Sequence, residues 1–78
     1  MNIEALVNTS VDDCRLTLTC LLNSDPAACL RTVADLLGVL NARGVADISR
    51  RKAASVVGRA ALKALTEPDP ASRVLPGK

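Results

Sequence analysis

The segment from Asp25 to Gly44 carries a nearly complete set of helix signals and constrains the fold more than any other part of the chain. Asp25 is a good N-cap, and Pro26 suits the first helical position, where its missing N–H is not needed. Gly44 stands where a left-handed residue commonly ends a helix. The sequence therefore predicts a helix over residues 26–42. Its apolar stripe is assigned to Leu30, Val33, Leu37 and Leu40, flanked by Cys29 and Leu36.

A second helix is predicted over residues 49–65, with Asp47 or Ser49 as its cap. Its inner stripe is rich in alanine, which lets a neighbouring helix approach closely, and Gly58 is expected on the outer side. The stripe is centred on Ala53, Val57, Ala60 and Ala64 and widened by Val56, Ala61 and Leu65. Because the link over residues 44–48 is short, the two helices are expected to form an antiparallel hairpin.

The segment over residues 11–22 fits two structures. As a helix, it begins with Ser10 as a cap and Asp13 three positions later, and one face consists of Val11, Cys14, Leu18 and Leu21. As a strand, it alternates apolar residues at positions 14, 16, 18, 20 and 22 with Arg15, Thr17 and Thr19. We favour the helix, because the chain offers no second strand and a sheet would need two subunits.

The predicted fold is all-α, a small bundle of three or four helices around the antiparallel hairpin. A short helix at residues 3–7 would be the fourth. We expect a single helical domain over residues 1–66. Residues 67–78 contain three prolines and few large apolar residues, so they are predicted to form a disordered tail.

The chain contains no Phe, Trp or Tyr, so its core must be built from aliphatic residues. Aromatic rings normally supply large blocks of buried area. A chain of 78 residues also buries only roughly 60% of the surface that it exposes when unfolded. The small aliphatic core predicts either a homodimer or docking onto a larger partner.

Side chains suited to catalysis are scarce. Without His or Tyr, general acid–base catalysis lacks its usual proton carriers and a Cys nucleophile lacks its imidazole partner. The spacing of Cys14, Cys20 and Cys29 does not match a zinc site, and the four glycines are too dispersed for a phosphate-binding loop. We therefore expect no enzyme activity, no cofactor, no metal and no small-molecule substrate.

The cysteines and the N-terminus also bear on cellular location. An odd number of cysteines in apolar segments predicts buried, reduced thiols. The first residues carry Glu4 and lack the basic region of a secretory signal. No apolar run approaches the ~20 residues that cross a bilayer. These features favour a cytoplasmic protein with no membrane association.

Positive charge is concentrated in the second half of the chain. Residues 43–78 hold eight basic and three acidic residues, whereas residues 1–42 hold two and five. On the second predicted helix Lys52, Arg59 and Lys63 recur at i, i+7 and i+11, in one stripe beside the apolar face. Arg50 and Arg51 lie in the first turn, where positive charge opposes the helix dipole. We predict that these five residues contact an anionic partner.

Three apolar residues fall outside the predicted core stripes: Leu16, Val39 and Leu62. Single exposed apolar residues are common on protein surfaces. In a chain without aromatic residues, however, these three could form a patch that contacts a second subunit or a partner.

Two parts of the sequence resemble DNA-binding families. The run Thr32-Val-Ala-Asp-Leu-Leu-Gly-Val39 is similar to the first half of a helix-turn-helix, although Gly44 and Asp47 then stand where a recognition helix would bring apolar residues inward. With residues 14–22 as a strand, the order strand, helix, helix resembles the ribbon-helix-helix dimers. That resemblance implies that the major groove receives Arg15, Thr17 and Thr19, and that the phosphates lie against Ser49-Arg50-Arg51.

Two functions remain open at this point. The leading hypothesis is a small non-catalytic regulatory or inhibitory module that binds a protein stoichiometrically, as a homodimer. The alternative is a small DNA-binding transcriptional regulator whose basic helix contacts phosphates through Arg50, Arg51, Lys52, Arg59 and Lys63.

Overall fold

The computed structural model describes residues 2–44 and 46–66, and these residues form four packed helices. The helices are α1 (Ile3–Asn8), α2 (Val11–Ser24), α3 (Pro26–Ala42) and α4 (Ile48–Thr66). No strand occurs in the described ranges. The all-α prediction is therefore confirmed, and the predicted tail over residues 67–78 lies outside the described residues.

Each helix begins at a side chain that accepts a hydrogen bond from a backbone N–H of the first turn. Asn2 caps α1 in this way, Ser10 caps α2 and Asp25 caps α3. Asp47 accepts from the N–H of Arg50 at 2.9 Å and serves the same purpose for α4. Gly44 follows α3 with a φ of 63°, as predicted for a residue that ends a helix.

Residues 11–22 are helical, so the strand interpretation is wrong. The Ser10 hydroxyl accepts from the N–H of Asp13 at 3.1 Å, and Cys14 and Leu18, four residues apart, are both fully buried. Leu16 between them is 62% exposed, which suits a helix, because in a strand positions 14, 16 and 18 would share one face. The arrangement implied by the ribbon-helix-helix resemblance is therefore also wrong: Arg15, Thr17 and Thr19 lie on α2.

The core is a single aliphatic cluster formed by all four helices. Its largest fully buried side chains are Leu18, Leu36, Leu40, Cys14 and Cys29. Leu6 provides the buried residue of α1, and Ile3 and Val7 pack against the cluster. On α3 the buried residues are Cys29, Thr32, Val33, Leu36 and Leu40, whereas Leu30 and Leu37 are half-buried. The predicted stripe of α3 is thus rotated slightly towards Cys29 and Leu36.

The buried face of α4 differs from the prediction. It consists of Ala54, Val57, Gly58 and Ala61, together with Arg50, whereas Ala60 and Ala64 are exposed. Gly58 was expected on the outer side, yet a Cβ placed there would lie 2.9 Å from Cγ1 of Val33. Alanines occur on several sides of α4, so several rotations of the helix would bury a similar apolar face. The close approach of α3 at Gly58 and the burial of Arg50 select one of them.

Candidate functional site: the outer face of the fourth helix

Arg50 is buried, unlike the other basic residues of α4. Its residue surface is only 7% exposed. The guanidinium donates from Nε to Oδ2 of Asp47 at 2.9 Å, and its two terminal nitrogens donate to the carbonyls of Leu6 and Thr9, each at 2.6 Å. Carbonyls at the end of α1 have no partner within their own helix. Arg50 therefore joins α1 to α4, and the structure removes it from the predicted contact surface.

Asp47 completes this arrangement. One oxygen of its carboxylate accepts from the backbone N–H of Arg50 and the other accepts from the guanidinium. These two hydrogen bonds lower the pKa of Asp47 from its usual value, and the hydrogen bond from the backbone N–H has the larger effect. The carboxylate of Asp47 thus caps α4 and also orients the guanidinium of Arg50.

A second ion pair holds α1 at its other end. Glu4 accepts from Arg43 at 2.6 Å, and this hydrogen bond lowers the pKa of Glu4 and raises that of Arg43. Both side chains are about half exposed, so the pair contributes little to stability compared with a buried pair.

The other four basic residues of α4 lie in two kinds of environment. Arg51 is half-buried and donates to Oδ1 of Asn41 at 2.5 Å, which turns it towards α3. Lys52, Arg59 and Lys63 are exposed. These three lie roughly opposite the buried face, so the prediction that they lie beside it is wrong. The 19 residues of α4 contain no acidic side chain.

Val56 lies within this row of cations. It follows Lys52 by four residues and precedes Arg59 by three, so all four side chains share one helical stripe. Val56 is 55% exposed. We refer to Lys52, Val56, Arg59 and Lys63 as the basic face.

A surface groove adjoins the basic face between α2 and α4, with a volume of about 280 Å³. Its walls include Val11, Asp12 and Arg15 of α2 and Lys52, Ala53 and Val56 of α4. Oδ1 of Asp12 lies 3.7 Å from Nη2 of Arg15. Lys52 and Val56 belong to both the groove and the basic face. Sequence reasoning missed this groove because it depends on how two helices are placed side by side.

The three apolar residues predicted as an interface lie on separate helices: Leu16 on α2, Val39 on α3 and Leu62 on α4. Leu16 and Leu62 are 62% and 51% exposed, whereas Val39 is half-buried. Val39 lies roughly 120° around α3 from Val33, on the side away from Asn41, which contacts α4. Val39 and Leu62 therefore do not form one patch.

The thiols are divided between the interior and the surface. Cys14 and Cys29 are buried, whereas Cys20 is exposed, contrary to the expected burial of all three. The Cys29 thiol donates to the carbonyl of Leu18 at 3.4 Å, and burial raises its pKa. No group of three metal-ligating side chains occurs among residues 2–44 and 46–66.

Comparisons with known proteins add no family to this description, because no family model, no curated protein and no solved structure matches the sequence. Within the described part of the chain, none of the helices has the length and apolar character needed to cross a bilayer.

Proposed function

We propose that this protein is a small non-catalytic module that binds a partner protein stoichiometrically, in a regulatory or inhibitory role, through the basic face of α4. One observation carries the proposal. Three exposed cations and an exposed valine share a single stripe of a helix that contains no carboxylate. Such a stripe offers apolar contact and electrostatic selection on the same surface.

The exposed apolar side chains favour a protein partner over DNA. Phosphate contacts need only the cations, and protein–DNA interfaces are polar. On α4, however, Val56 lies between Lys52 and Arg59, and Ile48 at the start of the helix is 78% exposed. A protein surface that combines acidic and apolar side chains would use both kinds of residue.

Self-association is part of the proposal but involves a different surface. Two basic faces brought together would place like charges opposite each other, which is unfavourable. A homodimer contact would therefore use an exposed apolar residue outside the basic face, either Leu16 of α2 or Leu62, which lies roughly 90° around α4 from that face. The expected mass in light scattering is that of a dimer, and Leu16→Asp or Leu62→Asp should reduce it to that of a monomer with unchanged helical content.

The proposal is tested by capture of a partner with matched charge variants. The tagged protein is compared with Lys52→Glu/Arg59→Glu/Lys63→Glu, with Val56→Asp, and with Arg31→Glu, which reverses an exposed charge on α3. We expect wild type and Arg31→Glu to retain a stoichiometric protein that the other two variants lose. Retention of that protein by all four forms would contradict the proposal.

Binding of a labelled DNA duplex serves as the competing measurement. Phosphate contacts would give an affinity that falls with salt at a log–log slope near −0.9 per contact. DNA binding of that kind, abolished by the triple charge reversal and unaffected by Val56→Asp, would establish the DNA-binding alternative and overturn the protein-binding proposal.

A further inference from the structure

We infer that the groove between α2 and α4 receives one apolar side chain from an acidic helix of the partner, and that this contact determines which acidic proteins bind. The inference rests on the proposed function and specifies the chemistry of the partner. It starts from the groove, which continues the basic face onto α2.

The groove has an apolar interior and charged edges. Val11 and Ala53 are half-buried, whereas Arg15, Lys52 and Asp12 are exposed. These two apolar side chains therefore lie deeper than the charged groups, whereas Val56 is exposed at the rim. Two cations face one carboxylate, and that carboxylate already lies 3.7 Å from Arg15. An entering apolar residue would thus be flanked mainly by positive charge.

The open shape of the groove favours a side chain over a separate small molecule. The groove lies on the surface and is open to solvent, whereas small-molecule sites typically enclose most of the surface of their ligand. No metal-ligating cluster of three lies among the described residues either. One leucine-sized side chain from a larger partner suits a shallow site of this kind.

The basic face then specifies the rest of the partner. Along α4, Arg59 lies about 10.5 Å beyond Lys52 and Lys63 about 6 Å further, at 1.5 Å per residue. A partner helix lying along α4 has the same rise. Carboxylates at i, i+7 and i+11 with an apolar residue at i+4 would therefore match the three cations and the groove beside Val56.

A designed peptide tests this pattern directly. It is an alanine-based helix of about 18 residues, long enough to be helical alone, with Glu at i, i+7 and i+11, Leu at i+4 and one terminal Trp. Because the protein contains no Trp, Tyr or Phe, the fluorescence of that Trp reports the peptide alone. A second peptide of the same composition carries the leucine on the opposite face.

We expect the first peptide to bind about fivefold more tightly than the second, or better, because only its leucine is buried on binding. In ¹⁵N spectra of the full chain, the first peptide should shift the amides of Val11, Ala53 and Val56. Ala53→Leu fills the groove and should weaken the first peptide by a similar factor. The matched control is Ala34→Leu at an exposed position on α3, outside both the groove and the basic face, which should leave the affinity unchanged.

Other outcomes separate this inference from the proposed function. Equal affinity for the two peptides, with no effect of Ala53→Leu, would overturn the groove contact. The proposed function would survive that result if the triple charge reversal still abolished binding. Failure of wild type to bind either peptide would also overturn the inference, while the capture experiment decides the proposed function separately.

Shifts of the same amides by anionic vesicles or duplex DNA, and not by the peptide, would assign the groove to a different partner and contradict the inference. The comparison of two peptides on wild type needs no variant to fold.

Discussion

The two sides of α4 carry the same kind of charge and use it differently. On the inner side Arg50 is 7% exposed and its guanidinium bonds to one carboxylate and two carbonyls. On the outer side Lys52, only two residues later, is exposed and borders a groove. A basic cluster in a sequence can therefore contain both a structural cation and surface cations, with opposite consequences for mutation.

The contrast also explains why the basic residues begin so close to the start of the helix. Positive charge in a first turn is unfavourable to the helix dipole. In this protein Asp47 lies at the cap and accepts from both the backbone and the side chain of Arg50. The adjacent carboxylate offsets the unfavourable position, so the placement of Arg50 needs no external anion.

The largest expected effect concerns the inner cation. Arg50→Met should lower the free energy of unfolding by about 3 kcal/mol, because Asp47 and the carbonyls of Leu6 and Thr9 lose a charged donor. The measurement is urea unfolding followed by circular dichroism. The free energy of unfolding of Arg50→Lys should lie between those of wild type and Arg50→Met. A lysine ammonium keeps the charge but cannot reproduce the planar set of N–H donors of a guanidinium.

The matched control for this prediction is Lys52→Met. It removes the same charge from an exposed position and should change the free energy of unfolding by no more than about 0.5 kcal/mol. Equal destabilisation by the two methionine variants would contradict the division of α4 into inner and outer cations.

A smaller effect distinguishes two helical glycines. Gly58→Ala would place a Cβ 2.9 Å from Cγ1 of the buried, β-branched Val33, so it should destabilise by about 1–2 kcal/mol despite its better helix propensity. Gly38→Ala has no atom within 4 Å of the new Cβ and should stabilise by about 0.5–1 kcal/mol. Thermal or urea unfolding of both variants provides the measurement.

The double variant Gly58→Ala/Val33→Ala sharpens this test. Removing the valine methyl groups makes room for the new Cβ, so the two substitutions should be less harmful together than the sum of their separate effects. Strict additivity would show that the helices do not meet at this pair.

Acid should weaken the contacts made by the carboxylates of Asp47 and Glu4. The pKa of Asp47 is lowered in the folded state, so its contribution is present above the unfolded value near 4 and is lost as the pH falls towards the folded value. Glu4, whose pKa is also lowered, contributes in the same direction. We therefore expect the free energy of unfolding to decrease as the pH is lowered from about 4.5. Asp47→Asn, which keeps the capping oxygen, should flatten that decline, and an unchanged pH profile would contradict the assignment.

The smallest effect on stability is expected on the basic face. Lys52→Glu/Arg59→Glu/Lys63→Glu should keep the unfolding free energy within about 1 kcal/mol of wild type, because each side chain is exposed. The same variant should lose the partner. A large loss of stability, detected by urea unfolding, would show that these cations hold the fold and would remove the basis for the binding proposal.

The sequence predicted the helices better than their rotation. Local signals such as Ser10, Asp25 and Gly44 mark where helices begin and end, and all three act as expected. The rotation of α4 could not be derived because alanines lie on several of its sides. The facing residue, Val33, is brought to Gly58 only by the fold.

The site was predictable in part. The periodic spacing of Lys52, Arg59 and Lys63 correctly indicated one stripe, although its position relative to the buried face was wrong. The spacing of Asp47 and Arg50, three residues apart at a helix start, could have indicated a local pair. The carbonyls of Leu6 and Thr9 lie more than 40 residues away in sequence, so no local pattern could reveal the burial of Arg50.

Hydrogen exchange at the arginine Nε–H groups tests the division of α4 most directly. The Nε–H of Arg50 donates to Asp47 in a nearly buried site, whereas Arg59 and Arg31 are exposed. In ¹⁵N spectra we predict that the Arg50 signal exchanges more slowly than those of Arg59 and Arg31, by on the order of a hundredfold. Exchange of Arg50 at the rate of Arg59 would place it on the surface with the other cations and contradict this account.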